Sequence, residues 1–315
     1  MHAPPRATRT PPLLPRALVP GSRVALVAPA GPVDPDRLEG AAERCRIEGF
    51  EPVVFPGASG KVGYLAGTDA ERLGDLQVAF DDPSIDAVWP LRGGYGTLRI
   101  LDELDLRRQL RDPIPFIGFS DNTSIHMRHL ALGVVSFHGP HPTGAFPLET
   151  EEALRRVVCQ PTAAGPLHAR GGDPQPRTLV GGRAEAPLVG GNLSILTSMC
   201  GTAYALDPAG CILFLEDVAE PTYKLDRMLV QLRRSGATEA IVGLALGRFR
   251  QGPDEEEHPV ADLLLRFARR LGVPTVADLP FGHVEHNATL PVGTMARLDA
   301  DGAELVLTEP AVRAS

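Results

Sequence analysis

"PFIGFSDNTSIH" (residues 115–126) joins two periodicities without a spacer. The apolar run 115–119 has the length of a buried strand, and the spacing from Asp121 onward is helical. Ser120 stands at the junction, where two readings fit. It can cap the helix, since Ser, Asp and Asn all accept from the first free N–H groups. It can also be a nucleophile on a tight strand-to-helix turn, with its hydroxyl pushed out of the sheet. Under either reading, a strand feeding directly into a helix is the unit of a parallel α/β sheet.

The same unit recurs on both sides. "RVALVAP" (23–29), "EPVVFP" (51–56), "IDAVWPL" (85–91) and "VVSFHG" (134–139) read as strands. "PDRLEGAAERCRIEGF" (35–50), "DAERLGDLQVAFDDP" (69–83) and "GTLRILDELDL" (96–106) read as helices. Such alternation predicts a parallel sheet covered on both faces, with function in loops at the carboxyl ends of its strands. Residues 161–187 are rich in Gly, Pro and polar groups and read as a linker. Beyond it, "GGNLSILTSMCG" (190–201), "YKLDRMLVQLRRSG" (223–236) and 259–272 read as helices, with strands at 211–217, 240–249 and near 294–308. The expected division is a disordered Pro-rich leader (1–17), an N-terminal domain (18–160), the linker, and a smaller α/β domain (188–315).

A chain of 315 residues suits two domains. Its net charge of −8 lacks the basic excess that non-specific nucleic-acid binding needs. Cys45, Cys159, Cys200 and Cys211 form no C-x-x-C pair, which suits a reduced, cytoplasmic protein better than a disulfide framework. The N-terminal prolines interrupt any signal-peptide core, and no run approaches the ~18 apolar residues of a membrane span.

Several strand ends carry groups with chemistry. "WPLRGGYGTLR" (89–99) places three glycines before a helix, without the Lys-Ser/Thr of a P-loop or the spacing G-x-G-x-x-G. It is a tight turn, or a set of bare N–H groups able to hold an oxyanion. "ILFLEDVAEPTYKLDRML" (212–229) runs an apolar strand into Glu216 and Asp217: a solvated strand end, or the acid that orients a histidine. "LPFGHVEHNATLPVG" (279–293) holds His283 and His286 in an irregular loop that suits a general base. Its H-x-x-H has no companion cluster, so no metal is expected. His138 and His141 lie at another strand end, and His126 and His129 on the helix after Ser120. The order Ser120, Glu216, His283 is that of α/β-hydrolases, but Asn122 stands where their G-x-S-x-G elbow ends in glycine.

"RGGYG" (92–96), "IGFSDNT" (117–123), "HGP" (138–140), "GGNLSIL" (190–196), "FLEDVAEPTYKLDRML" (214–229) and "FGHVEHNATLPVG" (281–293) occur together in this order. In this the chain resembles the LD-carboxypeptidases, the muramoyltetrapeptide carboxypeptidase family of serine peptidases, which also includes microcin C immunity hydrolases. The resemblance spans about residues 18 to 310. It implies a Rossmann-like N-terminal domain, a swivelling-type C-terminal domain, and a cleft between them holding Ser120 as nucleophile, Glu216 as acid and His283 as base. The oxyanion donors would be the N–H of Asp121 and one from Gly93–Gly94. Where relatives often read GHG this chain reads GHVEH, so His286 is a second candidate base, with His283 favoured because it follows Phe-Gly.

Arg92, Tyr95 and His138 are the candidates for substrate contact, and Arg92, Arg99 and Arg227 those for the substrate carboxylate. The implied activity releases a terminal D-alanine from an L-centre of diaminopimelate or lysine in cytoplasmic muropeptides, without a cofactor, in a homodimer. The alternatives are an aminoacyl-sulfamoyl nucleotide hydrolase of the microcin type using the same residues, and a catalytically silent ligand-binding protein.

Overall fold

The protein is described by a computed structural model that covers residues 11–250 and 259–314. In the N-terminal half the strands are β1 (Arg23–Val27), β2 (Glu51–Val54), β3 (Ala87–Pro90), β4 (Ile117–Gly118) and β5 (Ser136–His138). β1 pairs in parallel with β2 and β3, and β4 with β5. A parallel bridge from Val88 to Phe116 joins the two groups, giving the order β2-β1-β3-β4-β5. Neighbours along β1 enter different cores. Val24 and Leu26 pack in the cluster that continues into the C-terminal half, and Ala25 and Val27 in a cluster on the opposite face. This two-sided burial explains the unbroken apolar run in "RVALV".

The helix Asp69–Asp81 opens with a capping box, Thr68 and Glu71 satisfying each other's backbone N–H groups. The segment expected as one helix over 96–106 is helical only at Thr97–Ile100 and then turns. Gly96 and Thr97 are held against the Ser120 turn there, through the Thr97 bonds to Asp121.

The C-terminal half adds β6 (Gly165–Pro166), β7 (Arg177–Val180), β8 (Arg183–Asn192), β9 (Ile212–Val218), β10 (Gly243–Arg250), β11 (Thr275–Leu279), β12 (Leu290–Val292), β13 (Met295–Asp299) and β14 (Glu304–Leu307). Eight of these make one sheet in the order β6-β14-β13-β8-β9-β10-β11-β7, parallel from β8 to β11 and antiparallel at both flanks. This is the longer of the two sheets. The helix Thr222–Arg234 buries Leu225, Leu229 and Leu232 on one face, as the spacing of "YKLDRMLVQL" requires.

The expected linker, 161–187, supplies β6, β7 and the first part of β8 to this sheet. Gly165 and Pro166 form β6 at one outer edge, a position that tolerates lost ladder bonds, and most of the other glycines and prolines lie between the strands. Residues 1–10 of the expected leader lie outside the described residues. Those that follow are anchored: Leu13 bridges to Val134, and the Ala17 N–H donates to Arg313 O at 2.9 Å. β12 crosses back and pairs antiparallel with β5, so the chain stitches its halves together beside the Ser120 turn. Among the described residues no helix is long and apolar enough to cross a membrane.

Candidate active site

Ser120 follows β4 after a single residue, Phe119, and has φ 61°, in the left-handed region that a serine adopts only when its surroundings enforce it. Two contacts do so. Gly118 lies so close to Asn122 that a Cβ there would stand 3.3 Å from the Asn122 side chain. Asn122 Nδ2 in turn donates to Phe119 O at 3.2 Å and to His141 Nε2 at 2.9 Å. The asparagine that departs from the hydrolase pattern thus clamps the turn. No side-chain cap bond from Ser120 opens the helix Thr123–Ala131.

His283 lies between Ser120 and Glu216. Its Nε2 is 3.1 Å from Ser120 Oγ and its Nδ1 is 2.7 Å from Glu216 Oε2. Glu216 is fully buried while the His283 side chain is 19% exposed, so the histidine meets the cleft and the acid does not. An ionised carboxylate at that depth would cost several kcal/mol without partners. Besides His283 it has Asn192 Nδ2 at 3.2 Å, which also reaches Asp217 Oδ1 at 3.3 Å. With the Nδ1 proton donated to the carboxylate, Nε2 is left to accept from the serine hydroxyl.

The strand ends explain how these groups meet. β8 runs parallel to β9 with Asn192 in register with Glu216. The preceding "GG" is required by contact: a Cβ on Gly191 would come within 2.5 Å of Thr123 Cγ2, next to the Ser120 turn. The glycine of "FGH" has the same cause. A Cβ on Gly282, at φ 102°, would stand 2.8 Å from Glu216 Cβ and Oε2. Sequence reasoning assigns Asn192 no role; its signal is the Gly-Gly-Asn run ahead of a helix.

The glycine loop lies against the serine. A Cβ on Gly93 would be 2.8 Å from Ser120 Cβ, 2.9 Å from its Oγ and 3.1 Å from Asp121 N. Thr97 ties the two loops, its N–H donating to Asp121 Oδ2 at 2.9 Å and its Oγ1 to Asp121 O at 2.7 Å. Burial raises the Asp121 carboxyl above its usual range, opposed by the bonds from Thr97. Ser120, Gly93, Gly94 and His283 open on one cleft of about 660 Å³, with Arg37, Arg92 and Arg248 in its wall.

Other candidates fall elsewhere. His286 is buried, makes no bond to Ser120 or Glu216, and has its pKa lowered chiefly by desolvation. His138 is fully buried behind Phe119 and forms no part of the cleft wall, so it is not placed to touch a substrate. Tyr95 stacks edge-on with Tyr64 at 5.7 Å outside the cleft lining. Arg99 grips Asp69 through Nε at 2.9 Å and Nη2 at 2.7 Å, and Arg227 lies over Tyr223, 5.4 Å from its ring centre. His141 does line the cleft, held neutral by burial and by the charges of His283 and Arg92. Among the described residues no cluster of three or more His, Cys, Asp or Glu side chains is placed to hold a metal ion.

Sequence models of the LD-carboxypeptidase N-terminal and C-terminal domains match residues 24–139 and 185–298. The murein tetrapeptide carboxypeptidase of Pseudomonas aeruginosa is 37% identical over 294 residues, covering 89% of this chain and 94% of its own. The chain belongs to the LD-carboxypeptidase family. As such it is a serine-type carboxypeptidase, a hydrolase. The muramoyltetrapeptide carboxypeptidase of Oxalobacter formigenes superposes with a TM-score of 0.79 at 30% identity, covering 92% of this chain and all of its own. The microcin C7 self-immunity protein MccF, in a complex with glutamyl sulfamoyl guanosine, superposes at 0.86 over 96% of this chain and all of its own, but at 20% identity it shares the fold alone. This LD-carboxypeptidase therefore has the two-domain α/β fold of both.

Proposed function

We propose that this LD-carboxypeptidase removes the terminal D-alanine from murein tetrapeptides, with Ser120 as nucleophile, His283 as base and Glu216 as its orienting acid. The observation that carries the reading is the contact pair of His283, 3.1 Å to Ser120 Oγ and 2.7 Å to Glu216 Oε2. Ser120 Oγ attacks the carbonyl carbon of the L-centre before D-alanine as its proton passes to His283 Nε2. The carbonyl oxygen becomes an oxyanion beside the N–H of Asp121 and the Gly93–Gly94 loop. The C–N bond then breaks, and His283 returns the proton to the departing amine of D-alanine. Water attacks the acyl-serine, gives its proton to His283, and leaves the shortened peptide with a new carboxylate as Ser120 regains its hydrogen.

The names of the relatives at 37% and 30% identity support the murein substrate over a sulfamoyl nucleotide. The family resemblance also supports a cytoplasmic location and a homodimer. Light scattering checks the latter: a mass of 33.6 kDa rather than twice that value would remove the dimer. For the reaction, D-alanine release from a tetrapeptide is measured with wild type and Ser120→Ala. Loss on the order of 10⁴-fold or more is expected of the variant. Retention of a tenth of the rate would overturn the assignment.

A further inference from the structure

Three guanidinium groups line the cleft, and they are not equivalent. Arg248 is already neutralised, its Nη1 standing 3.1 Å from Asp173 Oδ2. Among the described residues Arg37 and Arg92 donate only to backbone carbonyls. Arg37 Nη2 meets Thr143 O at 3.1 Å; Arg92 meets Pro32 O at 3.1 Å through Nη1 and Gly93 O at 3.3 Å through Nε. Among the described residues neither has a carboxylate partner. A guanidinium offers five N–H donors in a planar fork, so each keeps donors for a ligand.

Arg92 is also close to the chemistry. A Cβ on Gly94 would stand 3.5 Å from Arg92 Nη2, and one on the adjacent Gly93 would stand 2.9 Å from Ser120 Oγ. Among the described residues the remaining charged groups of the lining, Asp173, Arg248 and Glu285, come from segments after residue 160 and carry one cation against two anions. The unpaired positive charge therefore lies on the N-terminal wall, beside the glycine loop. A carboxypeptidase differs from an endopeptidase by requiring a free carboxylate on the leaving residue, and that carboxylate is only three bonds from the carbonyl carbon under attack. A bidentate guanidinium is the side chain best matched to it.

We propose that Arg92 and Arg37 form the subsite that binds the terminal carboxylate of the leaving residue and so make the enzyme an exopeptidase. The inference rests on the reading of Ser120 and His283 as the reacting pair. Arg92 supplies the nearer donors, with its orientation fixed by Pro32 O and Gly93 O, and Arg37 adds the second cation from the helix Pro35–Ile47. Asp173 and Glu285 oppose binding of the same carboxylate at their end of the cleft.

The test compares a tetrapeptide ending in D-alanine with the same peptide ending in D-alaninamide. Wild type is expected to prefer the acid by about 10²-fold or more in kcat/KM, since the neutral amide forfeits the charge-assisted bidentate pairing that the two guanidinium groups offer a carboxylate. Arg92→Gln and Arg37→Gln should each lower kcat/KM for the acid by about tenfold or more, leave the amide within a few-fold, and shrink the preference accordingly. A preference unchanged in both variants, or absent from wild type, overturns the subsite. Should Arg92→Gln fail to fold, Arg37→Gln decides alone, because its one backbone contact is on the rim.

A second readout does not depend on peptide turnover. Labelling of Ser120 by a fluorophosphonate should be slowed by free D-alanine and not by D-alaninamide, and the protection should vanish in the variants. If neither peptide is cleaved, the murein reading fails, while this protection still decides the arginines. Equal protection of wild type and both variants refutes them.

Discussion

Replacing Gly93 by alanine tests how the glycine loop and the Ser120 turn fit together. The φ of Gly93 is outside the left-handed region, so an alanine can adopt its backbone. What it cannot do is find room. Its methyl would lie 2.8 Å from Ser120 Cβ and 2.9 Å from Oγ, against the ~3.5–4.0 Å of an ordinary carbon contact. Ser120 has little freedom to yield, since its φ of 61° is already enforced. The methyl would also stand 3.1 Å from Asp121 N, in the space where a developing oxyanion would accept a hydrogen bond. Removing one oxyanion donor costs about 10²–10³ in kcat, and keeping the carbonyl from approaching Oγ adds to that. A loss of at least ~10³-fold in kcat/KM is expected, with overpacking costing about 1–3 kcal/mol of stability. The assay is D-alanine release alongside urea unfolding. Gly40→Ala is the control: it sits in the helix Pro35–Ile47 with nothing within 4 Å of its Cβ, and should gain up to ~1 kcal/mol. A folded Gly93→Ala enzyme with more than a tenth of wild-type kcat/KM would refute the idea that this glycine guards an anion site.

The two loop histidines should separate cleanly. His283→Ala should remove nearly all activity, on the order of 10⁴-fold, because it alone contacts both Ser120 and Glu216. His286→Ala should keep activity within a few-fold, and the opposite pattern would move the base to His286. Stability should fall in mild acid. Burial lowers His126 to about 3 and His129 to about 4 from 6.5, so between those values the unfolded chain binds protons that the folded chain refuses. Their contribution is whole above pH ~6.5 and is lost as pH falls toward 4, at up to ~1.4 kcal/mol per pH unit for each histidine. The buried Asp121, Asp217 and Glu48, whose pKa values are raised, work in the opposite sense. His129→Phe, beside Phe80 and Phe116, should flatten the decline in urea melts at pH 7, 6 and 5. Parallel curves for variant and wild type would show that His129 does not drive it.

Local pattern alone established the parallel N-terminal sheet, because a strand buried on both faces writes an unbroken apolar run and the helix after it writes a 3.6-residue period. The helices at 69–81 and 222–234 were legible for the same reason: capping chemistry and one apolar face lie within a dozen residues. The three groups of the candidate site were legible as strand-end residues and, through the ordered motifs, as a set.

Other features depend on partners distant in sequence. Residues 161–187 look like a linker because their glycines and prolines crowd the connections between short strands; only pairing with β11, β13 and β14 makes those segments strands. Nothing near residue 37 marks Arg37 as a cleft residue, and Arg92, Arg99 and Arg227 look alike until Asp69 and Tyr223 are seen to hold two of them. His138 reads like His141 three residues away, yet one is sealed behind Phe119 and the other faces the cleft. The motif favours His283 over His286, and the tertiary structure adds the contacts to Ser120 and Glu216 that His286 lacks. Three residues of irregular backbone carry no periodicity, and which ring reaches Ser120 is set by Gly282 pressing on Glu216 and by Asn287 Oδ1 accepting from the Gly282 N–H at 2.9 Å.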